Sequence, residues 1–136
     1  MAEHLFALLV HDKSESFESL KRVLRDLSVE TYSVETCKEA AALIAQCRPH
    51  MIFTDKALAD GSWVSILNIA DSADVPLSVI VVAAHPDTRL YVSVMERGAF
   101  DFIVPPFERE PLNFVTRSAA LHAHRRRNAL AHVGFA

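Results

Sequence analysis

Glycine is scarce in this chain, with three residues among 136. The loop after the first apolar run, HDKSES at 11–16, has none, so it lacks the usual backbone cradle for a nucleotide or flavin phosphate. Cysteine is scarcer still. Cys37 and Cys47 are too few for a disulfide framework, and neither has the close Cys or His neighbours of a zinc site. They read as two small buried hydrophobes on one helix, in a reducing compartment. Long apolar stretches are also missing. The runs LFALLV at 5–10 and VIVVAA at 79–84 are far shorter than the about 20 residues that cross a bilayer. Residues 1–4 are not basic and no long apolar segment follows them, so no secretory leader and a cytoplasmic location are expected. Acidic residues are absent from 111–136, which hold Arg117, Arg125, Arg126 and Arg127. The formal net charge is −3, so an acidic body carries a basic end. Three adjacent arginines read first as a solvated helix end, because no recognition-helix unit accompanies them.

What is present is an ordinary globular composition, 51% apolar and 23% charged, of a size that suits one domain. Continuous apolar runs alternate with segments of helical period. The runs 5–10, 51–54, 78–83 and 100–104, with the alternating segment 29–34, read as five strands. Phe17, Leu20, Val23, Leu24 and Leu27 recur at helical spacing, with Ser14 or Ser16 as a cap. Further helices are expected over 36–47, 62–71, 88–97 and 110–130, with Gly98 as a C-cap glycine. Five strand–helix units imply an α/β fold: a parallel sheet between two helical layers, an α/β/α sandwich.

In such a sheet, ligands bind beyond the carboxyl ends of the strands. The first strand ends at His11 and Asp12, the third at Asp55, the fourth at Ala83, Ala84 and His85, and the fifth at Pro105 and Pro106. Two carboxylates from neighbouring strands make an acidic, oxygen-rich pocket suited to a hard cation such as Mg²⁺. A carboxylate beside such a metal can act as a nucleophile toward phosphorus.

The stretches LFALLVHD (5–12), MIFTDKALADGSW (51–63), VIVVAAH (79–85) and GAFDFIVPPF (98–107) resemble the receiver domain of bacterial response regulators, the CheY-like family. The likeness covers about residues 4–125, leaving 126–136 as a helix end and tail, a candidate connector to an output domain outside this chain. It implies a flavodoxin-like (βα)5 fold with sheet order 2-1-3-4-5. It places Asp55 at the phosphoacceptor position and Asp12 at the metal-binding acid. Ala57 falls where a backbone carbonyl ligates the metal, and Phe102 at the aromatic switch position. The bond before Pro106 is expected to be cis.

The departures from the family pattern bear on function. His11 replaces an acid, Ala83 replaces a threonine or serine, and Pro105 replaces a lysine. Ala59 and Trp63 stand where the following loop usually has proline and glycine. The nucleophile and one metal ligand survive, while both side chains that grip phosphoryl oxygens are gone. Losing one such donor costs on the order of 10²–10³ in rate in comparable chemistry. Mg²⁺ binding is weakened by the loss of an acid at His11. That histidine is expected to hydrogen-bond a neighbouring carboxylate, a site for a transition metal being the lesser alternative. His85 is expected to face water. Without a hydroxyl at Ala83, Phe102 is expected to be uncoupled from phosphorylation and to stay buried.

The implied function is a two-component receiver with a degenerate site, signalling by protein–protein contact with a histidine kinase or other signalling protein, or as a homodimer. Exposed apolar groups among Tyr91, Val92 and Val94 are candidate anchors. Any enzymatic activity is limited to slow autophosphorylation and dephosphorylation at Asp55. Nucleic acid enters only through an output domain outside the chain, and no membrane contact is expected. One alternative is a fully phosphorylation-dependent receiver. A more distant one, from another class, is a flavodoxin-like binding protein or enzyme.

Overall fold

The apolar run at 5–10 forms the first strand, and five of its six residues are buried, as a strand covered on both faces requires. A computed structural model describes residues 4–12 and 14–133. The expectations for residues 1–3 and for the tail at 134–136 lie outside them. In chain order the elements are β1 (Leu5–Val10), α1 (Glu15–Asp26), β2 (Val29–Val34), α2 (Cys37–Cys47), β3 (Met51–Asp55), β4 (Ala57–Leu58), β5 (Gly61–Ser62), α3 (Trp63–Asp71), β6 (Ser78–Val82), α4 (Thr88–Glu96), β7 (Asp101–Ile103) and α5 (Arg109–Val133).

The five longer strands form one parallel sheet in the order β2-β1-β3-β6-β7. That is the expected 2-1-3-4-5 once β4 and β5 are set aside. Those two are a tight antiparallel hairpin, pairing Ala57 with Ser62 and Leu58 with Gly61, in the segment the sequence reads as a polar loop. The chain steps from β1 out to β2 and then returns across β1 to β3. The carboxyl ends of β1 and β3 therefore flank a topological switch point.

Strand side chains alternate between two cores. Leu8, Val10, Ile52, Val79 and Val81 pack with Ala40 and Ile44 of α2, Ile66 and Leu67 of α3, and Val94 of α4. Leu5, Leu9, Met51, Phe53, Ile80 and Val82 pack with Phe17, Leu20 and Leu24 of α1, and with Leu112, Ala119 and Ala120 of α5. Each fully buried large side chain contributes roughly 1.5–3 kcal/mol.

The helix boundaries have local causes. Thr36 Oγ1 accepts from Glu39 N–H at 3.1 Å, and Arg48 closes α2 in the left-handed region at φ 48°. Ser62 and Ser65 form a reciprocal capping box on α3, and Asp87 caps α4 through Leu90 N–H at 3.0 Å. Gly98, at φ 90°, makes the turn after α4. Ser14 stands at the α1 N-cap without a side-chain cap bond. The last helix is longer than its apolar pattern indicates. It runs through residue 125 unbroken to Val133, and Arg127 donates to the carbonyls of Pro76 and Pro49, both at 2.8 Å.

Two expectations about burial are corrected here. Cys37 is buried, but Cys47, at the last turn of α2, is exposed. Phe102 is half-buried, because β7 is a three-residue edge strand with no residue fully covered. Its ring meets Tyr91 of α4 edge-on, with centroids 5.9 Å apart. On α4, Val94 takes the core position, while Tyr91 and Val92 are exposed.

Candidate functional site at the carboxyl end of the sheet

Val10 and Thr54 are register partners in the adjacent strands β1 and β3. Asp55 is the next residue after Thr54, and Asp12 lies two beyond Val10. Both acids thus leave the same end of neighbouring strands, at the switch point. Asp55 is half-buried and Asp12 is exposed. Thr54 is fully buried and its hydroxyl donates to the Asp55 carbonyl at 3.0 Å, which fixes the end of β3. Asp55 Oδ1 accepts from Lys56 N–H at 2.7 Å. Register with β6 places Asp55 beside Val82, and Ala83 follows directly. Ala83 N–H donates to the Ile103 carbonyl at 3.1 Å, so the ends of β6 and β7 are tied together, and Pro105 follows two residues on. The Pro105–Pro106 bond is cis, as expected. His85 is exposed, also as expected.

His11 departs from expectation. Its ring is buried, and neither ring nitrogen has a hydrogen-bond partner among the described residues. It stacks on Phe17 of α1, with centroids 4.3 Å apart and planes 11° apart. The expected bond to a carboxylate is absent among the described residues: His11 lies on the same face of its strand as Leu9 and packs on Phe17 of α1. Burial lowers its pKa and the Lys21 ammonium lowers it further, against opposing pulls from Glu18, Asp55 and Glu35. Both lowering effects favour the neutral form of the stacked imidazole.

Among the described residues no three His, Cys, Asp or Glu side chains converge as a metal cluster. The alternative of a transition-metal site using His11 therefore lacks its ligand set. Asp12 and Asp55 would offer carboxylate oxygens there, and Ala57, two residues after Asp55, a backbone carbonyl. That donor set suits a hard cation held through one or two carboxylates and water. A groove of about 480 Å³ lies elsewhere, between α2 and α3, lined by Ala41, Ile44, Asn68, Ile69 and Leu77, and none of the site residues borders it.

The loop after Asp55 holds a group that sequence reasoning missed. Asp60, at the tip of the β4–β5 hairpin, accepts from Cys37 N–H at 2.8 Å and Lys38 N–H at 3.1 Å. These donors, Cys37 N–H foremost, lower the pKa of its carboxyl group. The Asp60-Gly61 pair signals a turn in the sequence, but its partner lies 23 residues upstream and leaves no local trace.

The model of the family described as response regulator receiver domain matches residues 7–116 of the chain. The chain belongs to that family. Among curated relatives of this receiver domain, the nitrogen assimilation regulatory protein NtrX of Azorhizobium caulinodans is 30% identical over 118 residues, 82% of the chain and 25% of that protein. The virulence transcriptional regulatory protein PhoP of Salmonella typhimurium is 29% identical over 122 residues, 90% of the chain and 52% of that protein. The chain thus spans about a quarter to a half of the length of these relatives. The signal receiver domain of a putative LuxO repressor protein from Vibrio parahaemolyticus has the same fold, with TM-score 0.77 and 27% identity over 91% of this chain and 95% of that one. The receiver domain of NtrX from Brucella abortus gives TM-score 0.71 and 27% identity over 84% and 97%. No described helix of this receiver is long and apolar enough to cross a membrane.

Proposed function

We propose that this receiver retains its phosphoacceptor, Asp55, but signals chiefly through contact with a partner protein, phosphoryl turnover being slow. The observation behind this reading is the pair Ala83 and Pro105. They follow β6 and β7, where the family pattern has a hydroxyl and an ammonium, and neither side chain offers a donor to a phosphoryl oxygen. In the transfer step an Asp55 carboxylate oxygen bonds to phosphorus, the bond from phosphorus to the donor's leaving group breaks, and the leaving group keeps that electron pair. Asp12, Asp55 and the Ala57 carbonyl would hold Mg²⁺, which when bound offsets charge on the phosphoryl oxygens. His11, where the family pattern has an acid, contributes no carboxylate to that set, so the cation would be weakly held.

The signalling half of the reading rests on the surface. Tyr91 and Val92 on α4, with Phe114 and Leu121 on α5, are exposed apolar side chains, Phe114 at 73%. A histidine kinase, another signalling protein or a second copy of the chain is the partner class proposed for these two exposed helix faces. Phe102, edge-on to Tyr91, has no hydroxyl at Ala83 to follow, which supports a partner surface that does not depend on phosphorylation.

The test is intact-mass measurement after incubation with acetyl phosphate and Mg²⁺. A slowly formed phosphoryl adduct, absent in Asp55→Asn, is expected, with partner binding unchanged by that substitution. An adduct formed as fast as in a receiver bearing the hydroxyl and the lysine, with partner binding lost in Asp55→Asn, would establish the fully phosphorylation-dependent reading instead.

A further inference from the structure

The segment after Asp55 is pinned from two sides. On one side, both carboxylate oxygens of Asp60 sit on the first-turn amides of α2, Oδ1 on Cys37 N–H at 2.8 Å and Oδ2 on Lys38 N–H at 3.1 Å. A carboxylate at a helix N-terminus is stabilised by the unpaired amides there and by the aligned peptide dipoles. On the other side, the hairpin runs directly into α3, where Ser62 and Ser65 cap each other's backbone amides and Trp63 N–H donates to the Lys56 carbonyl at 3.2 Å. The hairpin lies so close to both helices that a methyl group at Gly61 would come within 3.0 Å of Cys37 Sγ and 2.5 Å of Ser65 Oγ. Ala57 is paired with Ser62 inside this hairpin. Its carbonyl therefore has the position that the hairpin gives it.

We propose that Asp60 is the positioning residue of the Asp55 loop. Its carboxylate, seated on α2, holds the β4–β5 hairpin, and with it the Ala57 carbonyl, beside the acceptor. The use of that carbonyl as a cation ligand rests on the functional reading above; the clamp on the hairpin does not. The arrangement also links two segments far apart in sequence, so a partner that displaces the start of α2 would release the acceptor loop.

A plain helix cap would produce the same two hydrogen bonds, so the test must separate the two roles. Thr36 caps the same turn of α2 through Glu39 N–H. Thr36→Ala therefore weakens the helix start while leaving the Asp60 bonds in place. Hydrogen exchange over residues 56–63 is compared in the parent protein, Asp60→Ala, Asp60→Asn and Thr36→Ala. Exchange in the hairpin is expected to speed up roughly tenfold in Asp60→Ala, the scale of one charge-assisted hydrogen bond. A smaller rise is expected in Asp60→Asn, which keeps one acceptor and serves if the alanine variant does not fold. No rise is expected in Thr36→Ala. A parallel Mg²⁺ titration followed by Trp63 fluorescence is expected to show affinity falling roughly tenfold in Asp60→Ala and unchanged in Thr36→Ala, as for loss of an outer-shell support. Hairpin exchange unchanged in Asp60→Ala and Asp60→Asn, or raised equally by Thr36→Ala, overturns the clamp. Hairpin exchange that depends on Asp60 in a protein that binds no Mg²⁺ supports the clamp and overturns the cation-site reading.

Discussion

His11 lies flat against Phe17, ring centroids 4.3 Å apart, at the end of the central strand β1. The family pattern has an acid at this position. Here the side chain packs on the apolar Phe17, and neither nitrogen has a partner among the described residues. An unpaired buried polar group of this kind costs about 1–3 kcal/mol, and protonating it would cost more.

A pH dependence of stability follows. In the unfolded chain this ring takes up a proton near its ordinary value of 6.5; in the folded chain burial, then Lys21, hold its pKa lower. Below about pH 6.5 the unfolded state binds more protons, so stability rises with pH. The contribution is complete above that value and is lost as pH falls toward the folded pKa. Urea midpoints should fall between pH 7.5 and 5.5, by at most about 1.4 kcal/mol per pH unit from this group. His11→Phe should flatten that slope, and an equal slope in the variant would contradict the assignment.

Restoring the missing donors should restore speed. Ala83→Thr with Pro105→Lys supplies a hydroxyl and an ammonium at the ends of β6 and β7. Adduct formation with acetyl phosphate should accelerate by on the order of 10²–10³. Ala83 is buried, so the added atoms are expected to lower stability by roughly 1–3 kcal/mol. Time-resolved intact mass, paired with an unfolding curve, separates the two effects.

Arg127 should matter more than its basic neighbours. It donates to the Pro76 and Pro49 carbonyls, joining α5 to two loops at the end of the sheet opposite Asp55. Arg127→Ala should destabilise the protein by roughly 1.5–3 kcal/mol, the range for hydrogen bonds to a charged group. Arg125, exposed and without such bonds among the described residues, should change stability by no more than about 0.5 kcal/mol on replacement by alanine. Equal effects in denaturant titrations would rule out the docking role of Arg127.

The outward side of α5 should serve binding and not folding. Phe114 and Leu121 are seven residues apart on a helix and are both exposed. Phe114→Ser with Leu121→Ser should leave the unfolding midpoint within about 0.5 kcal/mol of the parent. Partner affinity, measured by calorimetry with the cognate signalling protein, should fall at least roughly tenfold if these are anchors. Unchanged affinity would move the contact surface elsewhere.

The amino-acid pattern alone determined the α/β class, the five strands, and the placing of Asp12 and Asp55 after the carboxyl ends of two of them; the order of the strands came with the family resemblance. Continuous apolar runs mark buried parallel strands, and strand direction then decides which residues reach the carboxyl end. The absence of donors at Ala83 and Pro105 was legible through the family resemblance, since it depends on residue type at matched positions. Only the tertiary structure decided that His11 turns inward onto Phe17, that Phe102 stops half-buried against Tyr91, and that Asp60 and Arg127 reach across the molecule. Each of those outcomes depends on what a side chain finds 6 to 78 residues away, once the sheet and helices have closed. Local periodicity reports which face of an element is apolar. It does not report which polar group on another element will come within hydrogen-bonding distance.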